Sequence, residues 1–314
     1  EIPFRQVGIA HCAVAVLQSS FTVIPGEEVT CRTKRGKNCH MLAIDSARFI
    51  SGSGDGGERG LDTATEHSIG EAAAACREWG GFACAAHPLE RVPLLERLIL
   101  DRGEWGPDDL RTPGISGMQI YNGRRDSGFR RGRKAWKKLL LDGYRMTIFG
   151  GSDSHGDFNR RRSIELPLLS VGEELSNTLG CVRTVVRADS WRKDDISEAL
   201  RSGRSVVTDG PFVDLSLMAG EAVCRPGDTM TEGSFSIHAR FLSSEEFGAL
   251  KRAAVYGGIK GEAEERTIVS LGAFARPFEH VFESPAEERR FSYIRAECET
   301  STGRLCLTNP VWLD

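Results

Sequence analysis

Phe149-Gly150-Gly151-Ser152-Asp153-Ser154-His155-Gly156 sets a carboxylate and an imidazole two residues apart, directly after an apolar run. The glycines permit a sharp turn, so Asp153 and His155 are expected to project from a strand's C-terminal end and to reach one cation together. Cys84-Ala85-Ala86-His87-Pro88 repeats the theme: an apolar run ends in a histidine, and the proline stops the strand. Such a histidine can offer one ring nitrogen to a metal while its surroundings hold the other. Ile24-Pro25-Gly26-Glu27-Glu28-Val29-Thr30 carries two carboxylates in an otherwise apolar run. A buried carboxylate needs a positive partner, and the strand's period of two decides whether Glu27 or Glu28 faces inward. His40 opens a fourth run, His40-Met41-Leu42-Ala43-Ile44. Taken singly, each segment reads equally well as a polar turn or a strand edge. Jointly they place Glu, Asp and three of the chain's seven histidines at the edges of separate apolar runs. His67, His238 and His280 read as structural or exposed, and His11 is ambiguous.

The elements that would position these groups alternate in type. Val7 to Leu17 and His40 to Ile44 are strand-like. Ser68 caps a predicted helix running to Trp79, with Glu71 three residues after the cap. Gly80-Gly81 stops that helix, and Phe82 to Ala86 forms the next strand. Ile115 to Tyr121 reads as strand, Arg133 to Leu141 as helix with Trp136 in its core face, and Arg145 to Phe149 as strand. This rhythm predicts parallel β/α units. Beyond about residue 205 apolar and polar residues alternate between Gly- and Pro-containing turns, as in Phe235-Ser236-Ile237-His238-Ala239-Arg240-Phe241. That texture predicts a small antiparallel sandwich.

The 314 residues are 40% hydrophobic and 27% charged, an ordinary globular balance. A net charge of -3 argues against a general nucleic-acid coat. Nine cysteines without a Cys-x-x-Cys pair read as small buried hydrophobes in a reducing compartment, which places the protein in the cytoplasm. No apolar run reaches the roughly 18 residues of a membrane span. Arginines cluster just beyond two predicted strand ends, in Asn122-Gly123-Arg124-Arg125 and Arg130-Arg131-Gly132-Arg133-Lys134 after one and Arg160-Arg161-Arg162 after the other. They read either as a solvated face or as a positive mouth that steers a small anionic or phosphorylated substrate.

In order and spacing, Pro25 to Thr30, His40-Met41-Leu42, Gly80 to Pro88 and Gly151 to His155 resemble successive motifs of the PHP (polymerase and histidinol phosphatase) superfamily. Glu198 to Pro211, Tyr293-Ile294-Arg295-Ala296-Glu297 and Thr308 to Leu313 resemble the carbaryl-hydrolase-like branch. The resemblance implies a distorted (β/α)7 barrel over residues 1–209 and a β-sandwich over 210–314. It implies divalent metal ions (Zn, Mn or Fe) held by Glu28, His40, His87, Asp153 and His155. Glu28, Asp153 and His155 would be catalytic, and Asn122, Arg124, Arg125 and Arg160 would contact substrate. It further implies a metal-dependent hydrolase, foremost a phosphoesterase, with an ester or carbamate hydrolase as the alternative. The family's opening His-x-His strand has no counterpart here, and Val16-Leu17 stand where its Asp-His pair belongs. That departure sets a chain lacking its first motif against a degenerate member that binds a ligand without turnover. The arginine clusters alone would support a third reading, a single-strand nuclease.

Overall fold

The computed structural model describes residues 22–52, 63–154, 163–166, 169–172, 178–231, 233–285, 287–288 and 291–314. The expected strand at Val7 to Leu17, with His11, lies outside them. Two compact units are present: Glu1–Met118 with Ala188–Arg201, and Gln119–Arg187 with Ser202–Asp314.

The first unit contains β1 (Gly26–Arg32), β2 (Asn38–Ile44), α1 (Ile69–Glu78), β3 (Phe82–Ala85), α2 (Leu94–Ile99), α3 (Pro107–Leu110) and the first half of β4 (Ile115–Asn122). β1 and β2 form an antiparallel hairpin whose register pairs Glu28 with Leu42 and Thr30 with His40. The link between them is five residues long, closed by Thr33 N–H donating to Lys37 O, with Gly36 at φ 76°. α1 begins where predicted: Ser68 accepts from Glu71 N, and the Glu71 carboxylate accepts from Ser68 N at 2.8 Å. Ile69, Ala72, Ala73 and Cys76 are its buried stripe, at the i, i+3, i+4, i+7 spacing of an amphipathic helix.

The second unit opens with the rest of β4, then α4 (Ser127–Leu141), β5 (Thr147–Gly151), the hairpin β6 (Ser163–Leu166) and β7 (Leu169–Gly172), and β8 (Arg183–Val186). α5 (Lys193–Ser202) belongs almost wholly to the first unit, where Lys193 pairs with Asp45 at 2.7 Å and Arg201 donates to Gly80 O. The chain then continues through β9 (Ser205–Thr208), β10 (Phe212–Ala219), β11 (Ala222–Cys224), β12 (Thr229–Met230), β13 (Ser234–Leu242) and β14 (Leu250–Gly258). β15 (Arg266–Leu271), β16 (Glu279–Glu283), β17 (Glu287–Glu288), β18 (Tyr293–Thr300), β19 (Leu305–Thr308) and β20 (Val311–Leu313) complete it. One sheet runs β11-β10-β13-β16, and a larger one runs β12-β20-β18-β19-β9-β8 with β14 beside β18. Alternate residues of β13, Phe235, Ile237, Ala239 and Phe241, are buried in one cluster with Ala253, Val255, Ile294 and Ala296 of the larger sheet. The two sheets thus share a core.

The expected (β/α)7, TIM-like barrel is not what forms. Among the described residues twenty strands face five helices, and no sheet closes on itself. β1 pairs antiparallel with β2, and β2 antiparallel with β3; β3 and β4 are parallel. A parallel crossover takes a dozen or more residues, and the five between β1 and β2 allow only a hairpin. Apolar periodicity reports which face of an element is buried, not the direction of the next strand, so the predicted rhythm overstated parallel pairing. Among the described residues no helix is long and apolar enough to cross a membrane.

The second unit buries an ionic network. Arg295 is fully buried and grips Glu265 and Glu297, while Arg133 of α4 donates to both Glu297 oxygens at 2.6 Å. Tyr293 and Tyr256 hydroxyls donate to the same two carboxylates. Arg295 also lies over the rings of Tyr256 and Trp136. Burial pushes the Glu297 carboxyl up, but the charges and hydrogen bonds of Arg295 and Arg133 outweigh it and bring it to about 2. A depressed carboxyl stabilises the fold above its unfolded value, near 4.5, and that contribution disappears as pH falls toward about 2. Urea unfolding of Glu297→Gln should therefore show a flatter acid limb over this window than wild type. Glu297→Ala, which leaves Arg295 buried with one partner fewer, should cost about 3–5 kcal/mol at neutral pH.

Candidate metal centre

Strand alternation settles the Glu27–Glu28 choice. Glu28, Leu42, His40 and Thr30 share one face of the β1–β2 hairpin, because cross-strand partners and second neighbours point the same way. Glu27 faces away, and its carboxylate accepts from Ile50 N at 2.8 Å. Burial raises the Glu27 carboxyl, with the Ile50 bond opposing. Glu28 and His40 are diagonal neighbours, and the Glu28 carboxylate contacts His40 Nδ1.

His87 reaches the same carboxylate by breaking the alternation. Ala86 donates its N–H to His40 O, so continued strand geometry would send the next side chain to the opposite face. His87 instead adopts φ 28°, outside the regions an L-residue prefers. Its Nε2 then lies 3.3 Å from Glu28 Oε1, and its ring packs edge-on to His40 with centroids 5.5 Å apart. The other ring nitrogen, Nδ1, lies 3.9 Å from Glu90 Oε2, and Glu90 N–H donates to His87 O. Glu28, His40 and His87 together offer ligand atoms all within 4.8 Å of one another. Both imidazoles are mostly enclosed, and the Glu28 side chain is 32% exposed. Burial would raise the Glu28 carboxyl; hydrogen bonds and charge from His40 and His87 prevail and hold it well below the usual carboxylate range.

The loop after α2 closes one side of the triad. Asn38, fully buried at the start of β2, donates to Asp101 O through its backbone and to Leu100 O through its side chain. Gly103 N–H returns to Asn38 O, and Trp105 Nε1–H donates to His40 O at 3.1 Å. These bonds set Arg102 beside His40, with Nη2 3.3 Å from Nδ1 and Nη1 3.7 Å from Glu96 Oε2.

The remaining expected residues distribute as follows. Asp153 follows β5 in the second unit, at φ 50°, and accepts from Asn122 Nδ2 at 3.1 Å. Arg125 donates to Glu299 and to Gly303 O, and Arg124 lies 3.7 Å from Asp126. His155 and Arg160 lie outside the described residues. Glu90, Arg102 and Trp105 escaped the sequence reading. Glu90 stands three residues after His87, a spacing that offered a signal; Arg102 and Trp105 are brought in by loop hydrogen bonds that no local pattern announces.

Trp105→Phe keeps the ring and removes its donor, while Ala86 N–H still serves His40 O. Urea unfolding should show a loss of about 0.5–1.5 kcal/mol, in the range of one neutral hydrogen bond.

No model of a known protein family matches the chain, and no curated protein matches it.

Proposed function

We propose that this chain is a metal-dependent hydrolase acting on phosphoesters. The observation that carries the reading is the convergence of Glu28, His40 and His87 within 4.8 Å. Two imidazoles and a carboxylate suit Zn, Mn or Fe. Three protein donors also match catalytic centres, which keep a position open for water or substrate. A divalent ion held there would supply a Lewis acid and a nucleophile from water near neutral pH. The chain's own part is to present the donors. Glu28 offers its carboxylate to the space between both imidazoles, and all three side chains must be free of protons at their ligating atoms to bind a cation. Glu90, facing the second nitrogen of His87, stands where a carboxylate orients a ligating imidazole. The eight described cysteines are free thiols, which suits a reducing compartment, and on that ground we place the protein in the cytoplasm.

Metal titration followed by elemental analysis should find about one divalent ion per chain with only three protein donors engaged. Glu28→Ala and His87→Ala should lose it while circular dichroism stays unchanged, and Glu90→Ala should weaken it about 10–100-fold. A phosphomonoester should be turned over by the wild type and not by Glu28→Ala. Absence of bound metal would sink the hydrolase; metal without turnover would leave a non-catalytic binding protein.

A further inference from the structure

We infer that Arg102 forms an anion subsite beside the triad, one that takes an oxyanion such as phosphate. The inference rests on the metal-centre reading above and adds to it the identity of the group that meets substrate charge.

Arg102 is held by its backbone, through its own N–H to Glu96 O and through the bonds of Asp101 and Gly103 to Asn38, two residues before His40. The guanidinium is therefore delivered to the triad by the strand that delivers a triad ligand. It is 18% exposed on its side chain, largely enclosed yet open to solvent. One end, Nη1, turns to Glu96, and the other, Nη2, to His40 Nδ1.

A guanidinium carries five N–H donors and no acceptor, and it stays charged at any working pH. His40 Nδ1 already faces the Glu28 carboxylate, so it is at best a shared partner for Nη2. Glu96 Oε2 at 3.7 Å is an ion-pair distance, beyond a direct hydrogen bond. Most of the fork is thus available to an incoming oxygen pair, the geometry arginine meets bidentately in phosphate and carboxylate.

The surrounding charge is mixed: Glu96 pairs with one end of Arg102, Glu90 faces His87, and Glu28 is the one carboxylate among the three donors. The end of the guanidinium turned toward His40 is the one placed to meet an anion at the triad. Arg125 and Arg133, in the second unit, already serve Glu299 and Glu297.

The probe is inorganic phosphate, titrated calorimetrically into wild type, Arg102→Ala and Arg102→Lys, each with and without Mn²⁺, beside a Mn²⁺ titration of each protein. Arg102→Ala should weaken phosphate about ten- to hundredfold, the range for a hydrogen bond to a charged group, with Mn²⁺ affinity little changed. Arg102→Lys should fall between, keeping charge and losing the fork, and it serves as the folded variant if the alanine protein is unstable. Equal phosphate affinity in all three proteins overturns the inference. Parallel loss of Mn²⁺ and phosphate also overturns it, because Arg102 would then act by positioning His40. If wild type takes up no Mn²⁺, the hydrolase reading fails separately, and the metal-free phosphate titrations still decide whether Arg102 holds an anion.

Discussion

The hydrogen-bond register between β1 and β2 governs everything the first unit can do chemically, because side chains alternate faces along a strand. Pairing Glu28 with Leu42 sends Glu28 to the face that carries His40 and turns Glu27 toward Ile50 N. A slip of one residue would exchange the two carboxylates and turn Glu28 away from His40. Gly36 and the short loop between the strands hold that register, and buried Asn38 ties the second strand to the loop that carries Arg102. The triad follows from one hairpin and one departure from strand geometry at His87.

That departure carries meaning because it is costly. Four described non-glycine residues adopt positive φ: Asp45, His87, Asp101 and Asp153. Each follows the end of a strand or helix. Such strain persists where surrounding structure over-determines it, and it concentrates at functional sites. At His87 the result is a ring with one nitrogen toward Glu28 and the other toward Glu90. Asp101 stands directly before Arg102, so the strained turn there precedes the guanidinium.

The second unit obeys a related electrostatic rule with a structural outcome. Charges leave water at least cost when paired, and Arg295, Glu265, Glu297 and Arg133 pair with one another. The Tyr293-Ile294-Arg295-Ala296-Glu297 stretch, which stood out as a motif, owes its charged residues to this network: alternate positions carry the buried ions while Ile294 and Ala296 enter the hydrophobic core. Arg133, at the start of the predicted Arg133 to Leu141 helix, turns its guanidinium to Glu297.

Local chemistry was legible in the chain. Ser68 with Glu71 announced the start of α1, Gly80-Gly81 its end, and the alternation around Phe235 to Phe241 a half-buried strand, because caps, glycines and periodicity act within a few residues. The residues of the triad were likewise visible as polar groups within or at the edges of apolar runs. Strand direction was not, and the barrel expectation failed there, since whether two strands pair parallel or antiparallel is set by chain reversal and packing between distant segments. Nor could the sequence choose Glu28 over Glu27, or single out Arg102, Trp105 and Glu90. Those assignments rest on register, a positive φ and loop-to-strand hydrogen bonds, which come into being only when the chain is folded.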